Sequence, residues 1–445
     1  MSTIVAISTP PGSGGIGIIR ISGEEAKYIA SEVFCTKKLK SFIDAEPNYM
    51  YLGNITSDEI AEKCFAVFFK SPHSYTGEDV VEFQCHGGAA LINKITDILI
   101  ERGAKPADRG EFTKRAFLNG KMALADCEGV IEMINADNTA SLNAGYRLME
   151  GKLTKQVTAL QEMLTDVIAR GEASLDYPEE LEEETEEYTR EKMQLIHKEI
   201  AELKNSYKYG KMIKDGVRVT LAGKTNVGKS SLLNALIKKE RAIVTEIAGT
   251  TRDIIEEAIE YKGIKIIFTD TAGIRKSDDI VERVGIELAK KEISTADIVL
   301  FVADEKNDET EEQFENLIKN KIVIRIINKI DKNPDKYLKK FDDGIIYISC
   351  KQNKNIDKIL DKIVEIVNSG KVTAGGEILI LKRHYDAICE AAESIEDVYR
   401  NYDIMENCVR LMQLKNAWDK LGYITGTTAT EEIIDTIFKK FCLGK

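Results

Sequence analysis

The pattern of apolar and polar positions divides the chain into four stretches. In residues 1–118, short apolar runs (Thr3–Ile7, Gly15–Ile21, Phe65–Phe69) are punctuated by Gly and Pro, and a helical pattern covers Ala89–Arg102. That mixture predicts an α/β unit. From 119 to 213 the texture becomes long segments of Leu, Ala, Glu and Lys. Ile196, Ile200, Leu203 and Tyr207 keep the i, i+4, i+7, i+11 spacing of an amphipathic helix. The acidic run Glu179–Glu187 behind Pro178 predicts a solvated helical face, with carboxylates near a helix N-terminus where the macrodipole favours them. At Asp215–Gly216 the texture changes again: Val217, Val219 and Leu221 alternate with Arg218 and Thr220. The runs Lys265–Thr269, Ile298–Val302, Ile322–Ile327 and Ile345–Ser349 then alternate with helical patterns, the rhythm of a parallel sheet with crossover helices. Residues 372–445 return to helical texture. The expected architecture is therefore an α/β domain (1–118), followed by an all-α domain (119–213 and 372–445) into which a second α/β domain (214–371) is inserted.

Composition narrows the class. A chain of 445 residues with 43% apolar and 31% charged residues has the make-up of a globular protein of about three domains. The formal net charge of −12 argues against gripping nucleic acid by overall positive charge, so an RNA substrate would need a confined binding face or a basic partner subunit. The eight cysteines are scattered without a CxxC pair, which argues against a disulfide scaffold or a zinc finger. The first fifteen residues lack a basic segment followed by an apolar one, and runs such as Ile298–Ala303 are too short to cross a bilayer. A reduced, cytoplasmic setting is the expectation.

Gly223-Lys224-Thr225-Asn226-Val227-Gly228-Lys229-Ser230 matches G-x-x-x-x-G-K-[ST], between the strand Val217–Leu221 and the helical pattern Ser231–Lys238. Glycines let the backbone wrap phosphate oxygens, loop N–H groups and the helix N-terminus supply partial positive charge, Lys229 reaches the β- and γ-phosphates, and the Ser230 hydroxyl binds Mg²⁺. Asn226, Val227, Gly228 and Ser231 complete this part of the predicted GTP site. Asp270-Thr271-Ala272-Gly273 follows the next strand, with Asp270 toward Mg²⁺ and the Gly273 N–H toward the γ-phosphate. Asn328-Lys329-Ile330-Asp331 follows Ile322–Ile327; the Asp331 carboxylate can accept from the N1–H and exocyclic amine of guanine, which adenine does not offer together. Ser349-Cys350-Lys351 follows the last strand and can support the base. Four such segments in this order point to a guanine-nucleotide hydrolase. The residue after Gly273 is Ile274, which cannot orient water as a Ras-type Gln does, so the hydrolytic group comes from elsewhere, with Glu282 and Asn226 nearby in sequence.

The run Thr245-Glu246-Ile247-Ala248-Gly249-Thr250-Thr251-Arg252-Asp253 resembles the switch I signature of the tRNA-modification GTPases MnmE (TrmE), and Asp270–Arg275 with Val281–Ile286 is similar to the following family segments. The resemblance implies nucleotide contacts along Thr245–Thr251 and K⁺ on Asn226, Thr245, Ile247 and Thr250. It also implies Mg²⁺ on Ser230 and Thr251, and Glu282 orienting the attacking water through a water bridge. A monovalent cation there would neutralise charge that builds in the transition state.

The resemblance extends to both ends. Tyr75-Thr76-Gly77-Glu78-Asp79 with Glu82, Cys85, His86, Gly87 and Gly88, and Gly110–Lys121, are similar to family motifs of a tetrahydrofolate-binding-like domain that dimerises and binds a one-carbon folate (5-formyl- or methylene-tetrahydrofolate). By motif position the folate contacts would be Arg20, Glu82, Lys121 and Lys445. Arg109 stands where the family usually has Pro, and Ala123 where it usually has Asp. Phe441-Cys442-Leu443-Gly444-Lys445 resembles the family's C-[ILV]-G-K ending, and Cys442 reads as a free, reachable thiol on a flexible end, near Lys439, Lys440 and Lys445, and as a catalytic candidate. Two bland readings stand beside these. Gly12–Gly17 contains a formal G-x-G-x-x-G, but Ile18-Ile19-Arg20-Ile21 reads as strand where a dinucleotide fold needs a helix. Cys85 and His86 are neighbours on a strand and point to opposite faces, which favours packing over a joint site.

What the resemblance implies is a homodimeric, K⁺-stimulated GTPase that works with an FAD-dependent partner (MnmG, GidA). It would add an aminomethyl or carboxymethylaminomethyl group to C5 of wobble uridine 34 of tRNA. The competing reading is a regulatory GTPase with interaction modules at both ends.

Overall fold

The computed structural model describes residues 2–57, 60–224, 226–239, 256–269, 292–305, 318–319, 321–334, 344–373 and 377–445, without the side chains of 178–184, 239, 256 and 370–373. Two compact units result: one of Met1–Ile131, Arg147–Gln161 and Asp419–Lys445, the other of Glu132–Tyr146 and Glu162–Trp418.

The first unit is built on β1 (Ile4–Ile7), β2 (Gly14–Ser22), β3 (Phe34–Cys35), β4 (Met50–Thr56), β5 (Ala61–Phe69), β6 (Val80–Gly87) and β7 (Lys105–Pro106), in the order β3-β4-β5-β6-β2-β1-β7. All neighbours are antiparallel except β1 and β7. Because successive strand residues alternate faces, the register sorts the side chains cleanly. Val5, Ile19, Ile21, Ala66, Phe68, Val81, Phe83 and Cys85 form a core with the helices Ala26–Val33 and Ala89–Glu101. The other face carries Arg20 opposite Glu82, with Val67 beside Glu82, then Gln84, Phe65 and Leu52 in line. Met50, Leu52 and Phe65 are exposed there. Cys85 is buried while the His86 ring is 76% exposed and bonds Glu62 at 2.7 Å, as expected for neighbours on opposite faces. The glycine run Gly12–Gly17 enters β2, so no helix follows it and no dinucleotide fold forms.

The second unit holds β8 (Val217–Ala222), β9 (Glu256–Tyr261), β10 (Ile264–Thr269), β11 (Ile298–Ala303), β12 (Ile322–Ile327) and β13 (Ile346–Tyr347), ordered β13-β12-β11-β8-β10-β9. The sheet is parallel except for the β9–β10 hairpin at its edge. Strands covered on both faces read as continuous apolar runs, which is why β11 is Ile-Val-Leu-Phe-Val-Ala. Leu232, Leu233 and Leu236 of the helix Lys229–Lys239 and Ile359, Leu360, Ile363 and Val367 of the helix Asp357–Thr373 join its core. The α/β body is thus inserted between helical segments, and the long helix Pro178–Asp215 packs on both Lys382–Asn401 and Asp357–Thr373. Ile196, Ile200 and Leu203 are buried, so the predicted stripe faces inward. The acidic run departs from its reading as a purely solvated face. Glu186 accepts from both terminal nitrogens of Arg410, whose side chain is 11% exposed and needs a carboxylate at that depth. Among the described residues no helix is long and apolar enough to cross a membrane.

Gly210 marks the tightest approach in this helical packing: a Cβ there would stand 1.9 Å from the Leu379 carbonyl oxygen. Gly210→Ala should cost about 1–3 kcal/mol by overpacking. A urea titration checks this cost, and in it Gly15→Ala, where a Cβ meets nothing within 4 Å, should be neutral.

Candidate functional site

The phosphate loop follows β8 because the strand ends beside a neighbour that tolerates only glycine. Gly223 has φ +139, and a Cβ on it would stand 2.1 Å from the Val302 carbonyl oxygen. Gly228 has φ +100, and its Cβ would meet the Asn328 side-chain nitrogen at 2.4 Å. The two invariant positions of the motif are therefore steric necessities of this sheet. Lys229, at the start of the helix Lys229–Lys239, folds its ammonium back over the loop and donates to the carbonyls of Gly223 (2.8 Å) and Lys224 (2.7 Å). Ser230 and Ser231 sit in the first turn of that helix, where N–H groups lack intrahelical partners.

The loop after β12 closes on the phosphate loop through Asn328, 3% exposed. Its amide nitrogen donates to the Val227 carbonyl (2.9 Å), and its oxygen accepts from the N–H groups of Lys329 (2.8 Å) and Cys350 (3.2 Å). Lys329 has φ +65, and its ammonium reaches the Asn226 carbonyl (2.6 Å) and Asp304 (3.1 Å). Asp331 accepts from the Ser349 hydroxyl at 2.5 Å, which holds its carboxyl below the usual carboxylate range and keeps it an anionic acceptor. Burial pushes the Cys350 thiol up, so it stays uncharged at neutral pH, while its N–H donates to Asn328. Asn226, Val227, Gly228, Lys229, Asn328, Lys329, Asp331, Ser349 and Cys350 are thus brought together at the ends of β8, β12 and β13. Thr245, Glu246, Ile247, Ala248, Gly249, Thr250, Thr251, Asp270, Thr271, Ala272, Gly273, Ile274 and Glu282 lie outside the described residues. Sequence reasoning missed Asp304; its only signal was an acid directly behind an apolar strand.

A second constellation lies on the open face of the first sheet. Arg20 Nε donates to Glu82 Oε1 at 2.7 Å, and the two side chains are 16% and 15% exposed. The guanidinium lies over the rings of Tyr75 (5.4 Å) and Phe112 (5.5 Å). Burial raises the Tyr75 hydroxyl, which pairs with Thr113 at 2.8 Å. Behind this slot, Arg115, 3% exposed, is clamped between Glu78 (3.0 Å) and Glu111 (2.8 Å), while Ser22 bonds Glu78 and Thr76 at 2.7 Å each. A buried guanidinium with carboxylates on both sides is the arrangement that offsets desolvation. It fixes the loop that carries Tyr75. The sequence contained these residues inside its motifs but gave no sign that Tyr75 and Phe112 flank Arg20. Lys121 is exposed and donates to the Pro72 carbonyl at 2.9 Å, on the same loop.

The segment holding Cys442 is not a loose end, contrary to the sequence reading. The Gly110 N–H donates to the Cys442 carbonyl (3.4 Å), and the Ser8 hydroxyl donates to the Gly444 carbonyl (3.2 Å). Gly444, φ +85, lies so close to β1 that a Cβ would stand 2.1 Å from the Ile7 carbonyl oxygen. The Cys442 thiol stays exposed. Ser8 follows β1, whose Ala6 is the register partner of Arg20, so the segment and the Arg20–Glu82 pair border one sheet face. Lys445 directly follows the anchored Gly444.

Asp331→Asn replaces an acceptor of two N–H donors by a group with one acceptor and one donor. Calorimetry should show GTP affinity falling at least about tenfold and XTP affinity rising; retained GTP preference would remove the base-reading role.

Comparison with known proteins covers the whole chain. A family model described as "MnmE helical domain" matches residues 124–442, and one described as "GTP-binding protein TrmE N-terminus" matches residues 3–121. The chain is 40% identical to a protein of Clostridioides difficile and 39% identical to one of Caldicellulosiruptor saccharolyticus, each over 100% of this chain and 99% of the relative. A Finegoldia magna protein is 37% identical over 99% of both. All three bear the name "tRNA modification GTPase MnmE".

Proposed function

Because the chain belongs to the tRNA modification GTPase MnmE family, we propose that it couples GTP hydrolysis to modification of tRNA at C5 of wobble uridine 34. An aminomethyl or carboxymethylaminomethyl group is built there with an FAD-dependent partner (MnmG, GidA) and a one-carbon tetrahydrofolate. The observation that carries this reading is the presence in one chain of two sites. One is a guanine-nucleotide site tied together by Asn328. The other is an Arg20–Glu82 pair in an aromatic slot beside the anchored Cys442 segment.

At the first site, Lys229 exchanges its two loop carbonyls for β- and γ-phosphate oxygens, and Asp331 reads the guanine edge. The donor set Ser230 with Thr251 suits Mg²⁺, and the oxygen donors of Asn226, Thr245, Ile247 and Thr250 suit K⁺, the Asn226 side chain being exposed. When bound, these ions neutralise charge on the phosphates. Glu282 orients the attacking water.

At the second site, Glu82 gives one oxygen to Arg20 and keeps the other for N–H donors, which fits a pterin edge beside the rings that flank Arg20. Folate supplies a one-carbon unit when bound. Lys121 and Lys445 suit its glutamate carboxylates, while Arg20, bonded to Glu82, lies at the pterin end. The exposed apolar residues Met50, Leu52 and Phe65 continue the same sheet face and fit a second copy of the chain, giving a homodimer through this domain. The division 1–118, 119–213, 214–371 and 372–445 follows from the same reading, as does a cytoplasmic location.

Nucleoside analysis of tRNA tests the function. Cells lacking the chain should carry uridine 34 without its C5 group, and cells with Cys442→Ser as the only copy should match them, while the purified variant hydrolyses GTP at the normal rate. Normal nucleosides in cells lacking the chain would favour the regulatory GTPase; normal nucleosides with Cys442→Ser alone would end the role of the thiol.

A further inference from the structure

Arg109 and the lysines before Cys442 meet in the first unit although more than 300 positions separate them in the chain. Gly110, φ +69, is the point of contact. Its N–H donates to the Cys442 carbonyl at 3.4 Å, and a Cβ on it would stand 2.7 Å from the Phe438 carbonyl oxygen and 2.9 Å from Phe441 Cβ. Phe438 and Phe441 are both buried, 2% exposed each. Lys439 and Lys440 lie between these two anchors and are exposed, as is Arg109. The backbone contacts therefore bring three cations around the residue that precedes the exposed Cys442 thiol.

Two of the neighbouring carboxylates are already engaged. Asp435 takes Lys114 at 2.6 Å, and Glu111 takes Arg115 at 2.8 Å. Asp108, the acid next to Arg109, is exposed and offsets part of the positive charge. Arg109, Lys439 and Lys440 form no salt bridge among the described residues. In a chain of net charge −12, three exposed cations without a salt bridge beside a thiol make a local positive field that the neighbouring carboxylates, Asp435 facing Lys439 among them, offset only in part. A flexible polyanion whose charges repeat along its backbone fits such a rim, and contact with it releases condensed counterions.

We propose that Arg109, Lys439 and Lys440 form a phosphate-binding rim that holds the RNA backbone beside Cys442. The inference rests on the reading of the chain as a tRNA-modifying enzyme and adds where an acidic protein touches its substrate. The rim positions RNA; it takes no part in GTP hydrolysis.

The test is the affinity of the full-length chain for tRNA as KCl is varied. Each lost phosphate contact lowers the slope of log K against log[KCl] by about 0.7–0.9. Arg109→Ala/Lys439→Ala/Lys440→Ala should therefore lose about two units of slope, and bind tRNA at least about tenfold more weakly at 100 mM KCl. GTP hydrolysis without RNA should be unchanged. Arg109→Lys/Lys439→Arg/Lys440→Arg should keep the slope, and so should Lys358→Ala/Lys362→Ala, on the helix Asp357–Thr373. An alanine variant with the wild-type slope overturns the rim, whether or not its affinity falls. So does loss of binding to an acidic protein with tRNA binding intact. Failure of the wild-type chain to bind tRNA at any salt concentration overturns the earlier reading instead.

Discussion

The side chain of Asn328 sits where three loops meet, and it bonds the backbone of each. It holds the phosphate loop by the Val227 carbonyl, turns its own loop by the Lys329 N–H, and holds the loop after β13 by the Cys350 N–H. A buried amide so placed leaves little freedom, because any group released from it would be buried without a partner, at about 1–3 kcal/mol each. The same side chain explains Gly228, whose missing Cβ makes room for it. The loop that carries Gly228 and Lys229 and the loop that carries Asp331 are therefore one object. Asp331 and Lys229 keep their relative places because both hang on loops that Asn328 joins.

The first unit solves a similar problem with charge. Arg115 between Glu78 and Glu111, and Ser22 bonded to Glu78, tie the Tyr75 loop to the sheet and to the helix Glu111–Leu118. This supports the slot around Arg20 without occupying it. The glycines Gly110 and Gly444 do the corresponding work for the Cys442 segment: each allows a backbone approach that a Cβ would forbid. Glycine serves here to let two chain segments touch, and the touching surfaces border the face that carries Arg20 and Glu82.

Much of this was legible in the sequence. The alternation of apolar runs marked β8, β10, β11 and β12 to within a residue or so, and the stripe of Ile196, Ile200 and Leu203 gave the buried side of the long helix. Strand β4 was not read, and β6 was read only at Cys85 and His86. Gly53, Asn54 and Thr56 break the apolar signal in one, and Glu82, Gln84 and His86 alternate with buried residues in the other. The hairpin strand Glu256–Tyr261 is too rich in acid to declare itself. Motif spacing picked out the segments around Gly228, Asn328 and Ser349, which the structure places together at the ends of β8, β12 and β13. It could not reveal the Asn328 hub, the Tyr75–Phe112 slot, or the anchoring of Gly444 to Ser8, since each joins residues far apart in the chain through contacts that leave no periodic trace.

The dependence of the nucleotide site on that one amide is open to direct measurement. Asn328→Ala, titrated with GDP by calorimetry in Mg²⁺- and K⁺-containing buffer, should bind at least about tenfold more weakly than the natural chain, a loss of about 1.4 kcal/mol. The helical signal should be unchanged. Wild-type affinity in that variant would contradict the account, because the Lys229 and Asp331 loops would then be held together by something other than Asn328.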